Sequence, residues 1–173
     1  MNRIILINGT YGVGKTTIAK SIMNNNDENF VLLDPDEDYN ELVEKGMLYM
    51  LGWPMQTSKV YLRYFRQKVE IAVKEKNVII PMTISTDICR REVYDYLIKN
   101  TDTIHVILSA DEKVIVDRIN KDVGRSKNFS KDSIKNNILY LKNNFIGSIW
   151  IDTSSKSIDS VANEIILLIQ QWK

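Results

Sequence analysis

Gly9-Thr10-Tyr11-Gly12-Val13-Gly14-Lys15-Thr16 decides how the rest of this sequence is read. The octapeptide fits the pattern G-x-x-x-x-G-K-[ST]. Ile4 to Ile7 run into it as a block of aliphatic residues suited to a buried central strand. A helix is predicted to leave it, from about Lys15 to Asn25. Strand, glycine loop and helix in that order make an anion cradle. The glycines let the backbone curl so that successive N–H groups face inward. The helix start adds unpaired N–H groups and the positive end of its dipole. Gly9, Gly12, Val13 and Gly14 are therefore read as backbone contacts to phosphate. Lys15 can reach the β- and γ-phosphates, and the Thr16 hydroxyl can ligate magnesium. Thr17 supplies a second hydroxyl, for the α-phosphate or for the helix itself. The pattern predicts ATP with Mg2+ as the bound group. It is silent on reaction type, because kinases, hydrolases and switches share this loop.

Outward from the loop, short apolar runs alternate with longer amphipathic stretches, which predicts an α/β fold with a mainly parallel sheet. Further strands are expected at Phe30–Leu33, Val78–Met82, Thr103–Leu108 and Ser148–Ile151. Pro81 should stop the ladder of the third strand. Helices are expected over about Glu37–Leu51, Thr57–Lys74, Asp87–Lys99, Glu112–Asn120, Lys131–Asn144 and Ile158–Gln171. In the second of these, Tyr61, Phe65, Lys68 and Ala72 share a face, flanked by Tyr64, Val69 and Val73. Gly52-Trp53-Pro54 separates the first two. Ser109, three residues before Glu112, has the spacing of a capping box. Five strands joined by right-handed crossovers give a three-layer α/β domain.

Asp34, Asp36, Glu37 and Asp38 lie at the carboxyl end of the second strand, on the sheet edge that the glycine loop leaves. A carboxylate there can take a proton from a substrate hydroxyl or hold a magnesium-bound water. The same residues can instead cap the next helix, which is the better reading of Glu37 and Asp38. Asp34 is the leading catalytic candidate and Asp36 a substrate-side one. The third strand ends Pro81-Met82-Thr83, with no acidic residue to organise magnesium.

Lys121 to Lys131 is a polar stretch without helical periodicity, a candidate lid over about 121–131. Arg118 before it and Arg125 within it can clamp a transferring phosphate, or lie on the surface as most arginines do. The region from about 37 to 76 is rich in Met, Tyr, Trp and Arg and is a candidate substrate region. There Arg63 or Arg66 can grip an anion, or belong to a helix pair packed on the sheet. His105, the single histidine, sits in an apolar strand and reads as a core or edge residue. Cys89 reads as packing.

The chain has 173 residues, 44% of them apolar, which fits one compact domain spanning 1–173. A net charge of +1 gives no reason to expect nucleic acid as partner. One cysteine excludes an internal disulfide and points to a reducing cytoplasm. No apolar run approaches the roughly 20 residues of a membrane span. There is no Cys/His cluster for zinc and no Ser-His-Asp pattern.

Ile5 to Thr16 resembles the start of the tunicamycin-resistance protein family of bacterial ATP-binding proteins. Asp34-Pro35-Asp36, Val78-Ile79-Ile80-Pro81-Met82-Thr83-Ile84, and His105 to Ala110 with Val116-Asp117-Arg118 resemble its later segments. That family is similar to small-molecule and nucleoside-monophosphate kinases. The resemblance implies strand order 2-3-1-4-5, a lid before the fifth strand, and passage of Ile151-Asp152-Thr153-Ser154 beside the adenine. It implies ATP binding and action on a nucleoside-like antibiotic. The expectation is a kinase acting on a small-molecule hydroxyl. ATP-dependent sequestration of a drug without phosphoryl transfer is the alternative. A GTP-driven switch ranks last, since no Asn-Lys-x-Asp segment is present.

Overall fold

The computed structural model describes residues 2–26, 29–47, 55–121 and 131–171. The chain order is β1 (Ile4–Gly9), α1 (Lys15–Asn26), β2 (Phe30–Leu32), α2 (Pro35–Glu44), a 3-10 turn (Met55–Thr57), α3 (Lys59–Ala72) and β3 (Asn77–Pro81). Three contiguous pieces then make α4, over 87–100: Asp87–Cys89, a π-helical Arg90–Asp95, and Tyr96–Asn100. β4 (Thr103–Ser109), α5 (Glu112–Lys121), α6 (Lys131–Asn144), β5 (Ile149–Asp152) and α7 (Ile158–Gln171) complete it.

The five strands pair in the order β2-β3-β1-β4-β5, all parallel. This is the order the resemblance implies. β1 lies at the centre with all six residues buried, because both of its faces are covered. Ile4 and Leu6 pack toward α2, α3, α4 and α6 with Tyr61, Phe65, Val93 and Leu141. Ile5 and Ile7 point the other way, into a cluster with Ile18, Ile115, Val161 and Ile165 from α1, α5 and α7. The two-residue period of a strand thus divides one aliphatic run between two cores. All five strands end at one edge of the sheet, and the connections there build the site.

Three local expectations are corrected. Helix α2 ends at Glu44, not Leu51. Gly46 takes φ +74, its N–H bonds to Val43 O at 2.9 Å, and the Met47 N–H bonds to Leu42 O at 3.0 Å. This pair of bonds is a Schellman stop, which glycine adopts without a Cβ penalty. Ser109 does not cap α5; it ends β4, and its hydroxyl leans on Ile151 O at 3.4 Å. On α3 the buried face is Tyr61, Leu62, Phe65 and Val69, while Tyr64 is exposed. β3 does stop at Pro81, and Cys89 is fully buried, which pushes its thiol up to about 12. The candidate lid beyond Lys121, Arg125 within it, and Gly52-Trp53-Pro54 lie outside the described residues.

Candidate nucleotide and phosphoryl-transfer site

The loop between β1 and α1 is built as its glycines require. Gly9, Gly12 and Gly14 take φ of +147, +79 and +98. At Gly9 the need is also spatial, since a Cβ would sit 2.6 Å from Leu108 O of the neighbouring strand. The loop floors a cavity of about 750 Å3. Residues 11–18 line it, together with Asp36, Pro81 and Thr83. Arg118, Thr153 and residues 156–158 line it as well. Gly12, Val13, Gly14, Lys15, Thr16 and Thr17 all face this space. Lys15 Nζ donates to Thr10 O at 3.0 Å and lies 5.8 Å from the centre of the Tyr11 ring.

Asp34 joins the loop to β2. The Thr16 hydroxyl donates to Asp34 Oδ2 at 3.2 Å. The other carboxylate oxygen, Oδ1, accepts the Asp36 N–H at 3.0 Å and so caps α2. Asp34 is buried at 7% exposure, and Asp36 lines the cavity beside it. The oxygen that caps α2 and the oxygen that meets Thr16 are thus different atoms of one side chain, and Asp34 itself is not among the residues lining the cavity. Thr16 and Asp34 offer a hydroxyl and a carboxylate oxygen at one point. That hard-oxygen pair suits magnesium, which takes few protein ligands and completes its shell with phosphate and water. Among the described residues no cluster of three His, Cys, Asp or Glu side chains could form an all-protein metal cage.

Arg118 reaches the cavity and braces it. Its Nη1 donates to Val13 O at 3.3 Å and Thr153 Oγ1 at 3.0 Å, and its Nη2 to Thr153 O at 2.7 Å. One guanidinium therefore ties α5, the phosphate loop and the β5–α7 turn together. Thr153, 2% exposed, passes the chain of bonds on to Ser109 O at 3.0 Å. Sequence reading did not single out Thr153 as a site residue, although the segment containing it resembles the one beside adenine. Thr83 was likewise noted only for lacking a carboxylate. It lines the cavity and its hydroxyl donates to Gly9 O at 3.1 Å.

Arg63 and Arg66 meet elsewhere. Arg63 forms a fork on Glu92, with Nε to Oε2 at 2.9 Å and Nη2 to Oε1 at 3.2 Å. Arg66 donates Nη1 to Glu92 O at 3.2 Å and stacks 3.6 Å from the centre of the Tyr96 ring. The Arg63 hydrogen bond holds the Glu92 carboxyl below its usual range. Neither arginine is among the residues lining the cavity. Asp38 is buried and paired with Lys68 across α2 and α3, so it anchors a helix. Among the described residues no helix is long and apolar enough to cross a membrane.

The chain is similar to known proteins in sequence and in fold. A Pyrococcus furiosus protein named as an adenylate kinase is 29% identical over 175 residues, covering 96% of this chain and 83% of that one. The shikimate kinase of Bacillus cytotoxicus is 27% identical over 168 residues, covering 95% of this chain and 96% of that one. The fold is also that of the Deinococcus radiodurans tunicamycin resistance protein, with a TM-score of 0.75 at 20% identity over 98% of this chain and 96% of that one. Residues 5–137 match the family described as the AAA domain, and they take in the phosphate loop, Asp34 and Arg118. With that match over most of its length, the chain belongs to the AAA-domain family of P-loop proteins, beside relatives named as kinases.

Proposed function

We propose that this protein is an ATP-dependent kinase for a hydroxyl group of a small molecule. The observation that carries the reading is that Asp36 and the phosphate loop line one continuous cavity. A donor phosphate on Lys15 and an acceptor beside Asp36 would share that space. Relatives named as adenylate and shikimate kinases support it.

In this reaction the acceptor hydroxyl oxygen attacks the γ-phosphorus. The bond from that phosphorus to the β–γ bridging oxygen breaks, and ADP leaves with the electron pair. The hydroxyl proton passes to a carboxylate, for which Asp36 is the candidate. Asp34 has one oxygen on Thr16 and the other on the Asp36 N–H, so it suits orienting and metal-holding work. Thr16 and Asp34 would hold magnesium, which spreads the charge of the β- and γ-phosphates when bound. Lys15 meets those same phosphates, and the loop N–H groups fix them. Arg118 keeps Val13 and Thr153 in register around the nucleotide. Arg125 is proposed to close over the transferring phosphate.

The acceptor class that fits best is a nucleoside-like compound, including antibiotics of that kind. The fold likeness to the tunicamycin resistance protein supports this finer reading. Incubation with ATP, magnesium and a panel of nucleosides, sugars and nucleoside antibiotics tests it. A phosphorylated product recovered with equimolar ADP is expected. An acceptor that binds tightly and is recovered unchanged with ATP intact would overturn it and favour sequestration.

A further inference from the structure

Asn8 is the last side chain of β1 before the glycine loop, and it is fully buried. A buried amide must find partners for both of its ends. Its Oδ1 accepts two backbone N–H groups, Gly9 at 2.7 Å and Ile84 at 3.0 Å. That double acceptance fixes which end of the amide is oxygen. Its Nδ2 therefore points the other way, to His105 Nε2 at 3.3 Å on the neighbouring strand β4. An amide nitrogen only donates, so Nε2 must be the bare nitrogen of the ring. The proton sits on Nδ1, which donates to Ser148 Oγ at 2.6 Å. The ring is 6% exposed and wedged 4.6 Å from the centre of Tyr94 and 5.0 Å from that of Phe145. Desolvation pushes the imidazole down to about 3, so it stays neutral and keeps this tautomer.

This chain of bonds matters because of where Oδ1 lies. Past Pro81 the ladder to β1 ends with the Met82 N–H on Ile7 O at 3.0 Å, and the chain beyond it must stay against the loop. Thr83 Oγ1 grips Gly9 O at 3.1 Å, and Ile84 N–H grips Asn8 Oδ1. Gly9 is thus held at its N–H by Asn8 and at its carbonyl by Thr83. We infer that Asn8 is a positioning residue for phosphate binding, and that His105 and Ser148 act through it by locking the amide. The inference rests on the loop being the nucleotide site, but not on phosphoryl transfer or on any acceptor.

ATP affinity measured by calorimetry, with no acceptor present, tests it apart from the kinase reading. Asn8→Ala, which removes the two hydrogen bonds that Oδ1 accepts and the one that Nδ2 donates, is expected to weaken ATP binding about tenfold or more. His105→Leu, which cannot accept from Nδ2, should weaken it about fivefold by the same measure and shift the Gly9 and Ile84 amide resonances. His105→Gln, whose carbonyl can accept from Nδ2, should restore affinity to within about twofold. The double variant Asn8→Ala/His105→Leu should bind no worse than Asn8→Ala alone, because His105 has no other route to the loop. Additive losses, or wild-type affinity and amide positions in His105→Leu, would overturn the inference. The ring nitrogens of the wild-type protein decide it independently of any variant. Nitrogen NMR should find the proton on Nδ1, and a proton on Nε2 would refute the arrangement.

Discussion

The Thr16 hydroxyl donates to Asp34 Oδ2 at 3.2 Å, and with that contact the phosphate loop and the end of β2 become one site. Thr16 lies in α1, which follows β1, and Asp34 caps α2 just past β2, two strands that do not pair directly because β3 lies between them. The same carboxylate starts α2 through its other oxygen, so the acid that faces the loop is fixed by the helix it caps.

Asp34 therefore separates stability from chemistry. Asn also caps well, so Asp34→Asn should change stability by less than about 0.5 kcal/mol. Asp34→Ala should lose about 1 kcal/mol. Both should abolish most of the gain in ATP affinity that magnesium provides, and turnover should fall on the order of a hundredfold. Thermal melts beside calorimetry with and without magnesium check this. A magnesium response preserved in Asp34→Asn would remove Asp34 from the metal site.

Arg118 makes three hydrogen bonds across two connections. Arg118→Ala should weaken ATP binding about tenfold and lower stability by roughly 2 kcal/mol. Arg118→Lys keeps the charge but not the planar fork, and should recover less than half of that loss. Equal affinity in Arg118→Lys and wild type would mean that charge alone suffices.

The glycines of this chain are not equivalent. Gly9→Ala puts a Cβ 2.6 Å from Leu108 O at a φ of +147, and backbone cannot yield as a side-chain tip can. A loss of about 2–4 kcal/mol, with collapse of ATP affinity, is expected. Gly147 has nothing within 4 Å of such a Cβ. Gly147→Ala should stay within about 0.5 kcal/mol of wild type. Urea unfolding of both variants makes the comparison.

His105 gives the fold an acid-sensitive slope. Burial moves its pKa from 6.5 to about 3, so between those values the unfolded chain binds a proton that the folded chain refuses. Stability rises with pH wherever the unfolded state binds more protons. The contribution is full above 6.5 and is lost as pH falls toward about 3. The slope from this group alone is about 1.4 kcal/mol per pH unit. His105→Gln should flatten that part of the profile, read by urea unfolding from about pH 7 to about pH 4.

The loop and its flanking elements were legible because every signal in them is local. Ile4 to Ile7, three loop glycines and Lys15-Thr16 fall within 13 residues of each other. The end of β3 was legible because proline cannot donate to a ladder. Side-chain partnership was not legible, because it depends on strand order and helix rotation. Nothing near Arg63 or Arg66 in sequence announces Glu92, which lies 29 and 26 residues away. Charge alone left Arg63 and Arg66 open as an anion grip or as part of a packed helix pair, and their pairing with Glu92 could not be read from it. Asn8 escaped notice because its role needs Ile84 and His105 beside it, 76 and 97 residues on. Gly46 was a local signal overlooked, since the apolar pattern continued past it. Tyr64 was misassigned because a tyrosine fits either face of an amphipathic helix.

The central claim is transfer of the γ-phosphoryl group, and Lys15 tests it most directly. ATP carrying a labelled γ-phosphate, incubated with magnesium and the acceptor that binds best, should yield labelled acceptor and ADP in equal amounts. Lys15→Ala, folded with a melting temperature near that of wild type, should lower that yield on the order of a hundredfold or more. Label that stays on ATP in the wild-type protein, with the acceptor bound and released unchanged, would contradict the account.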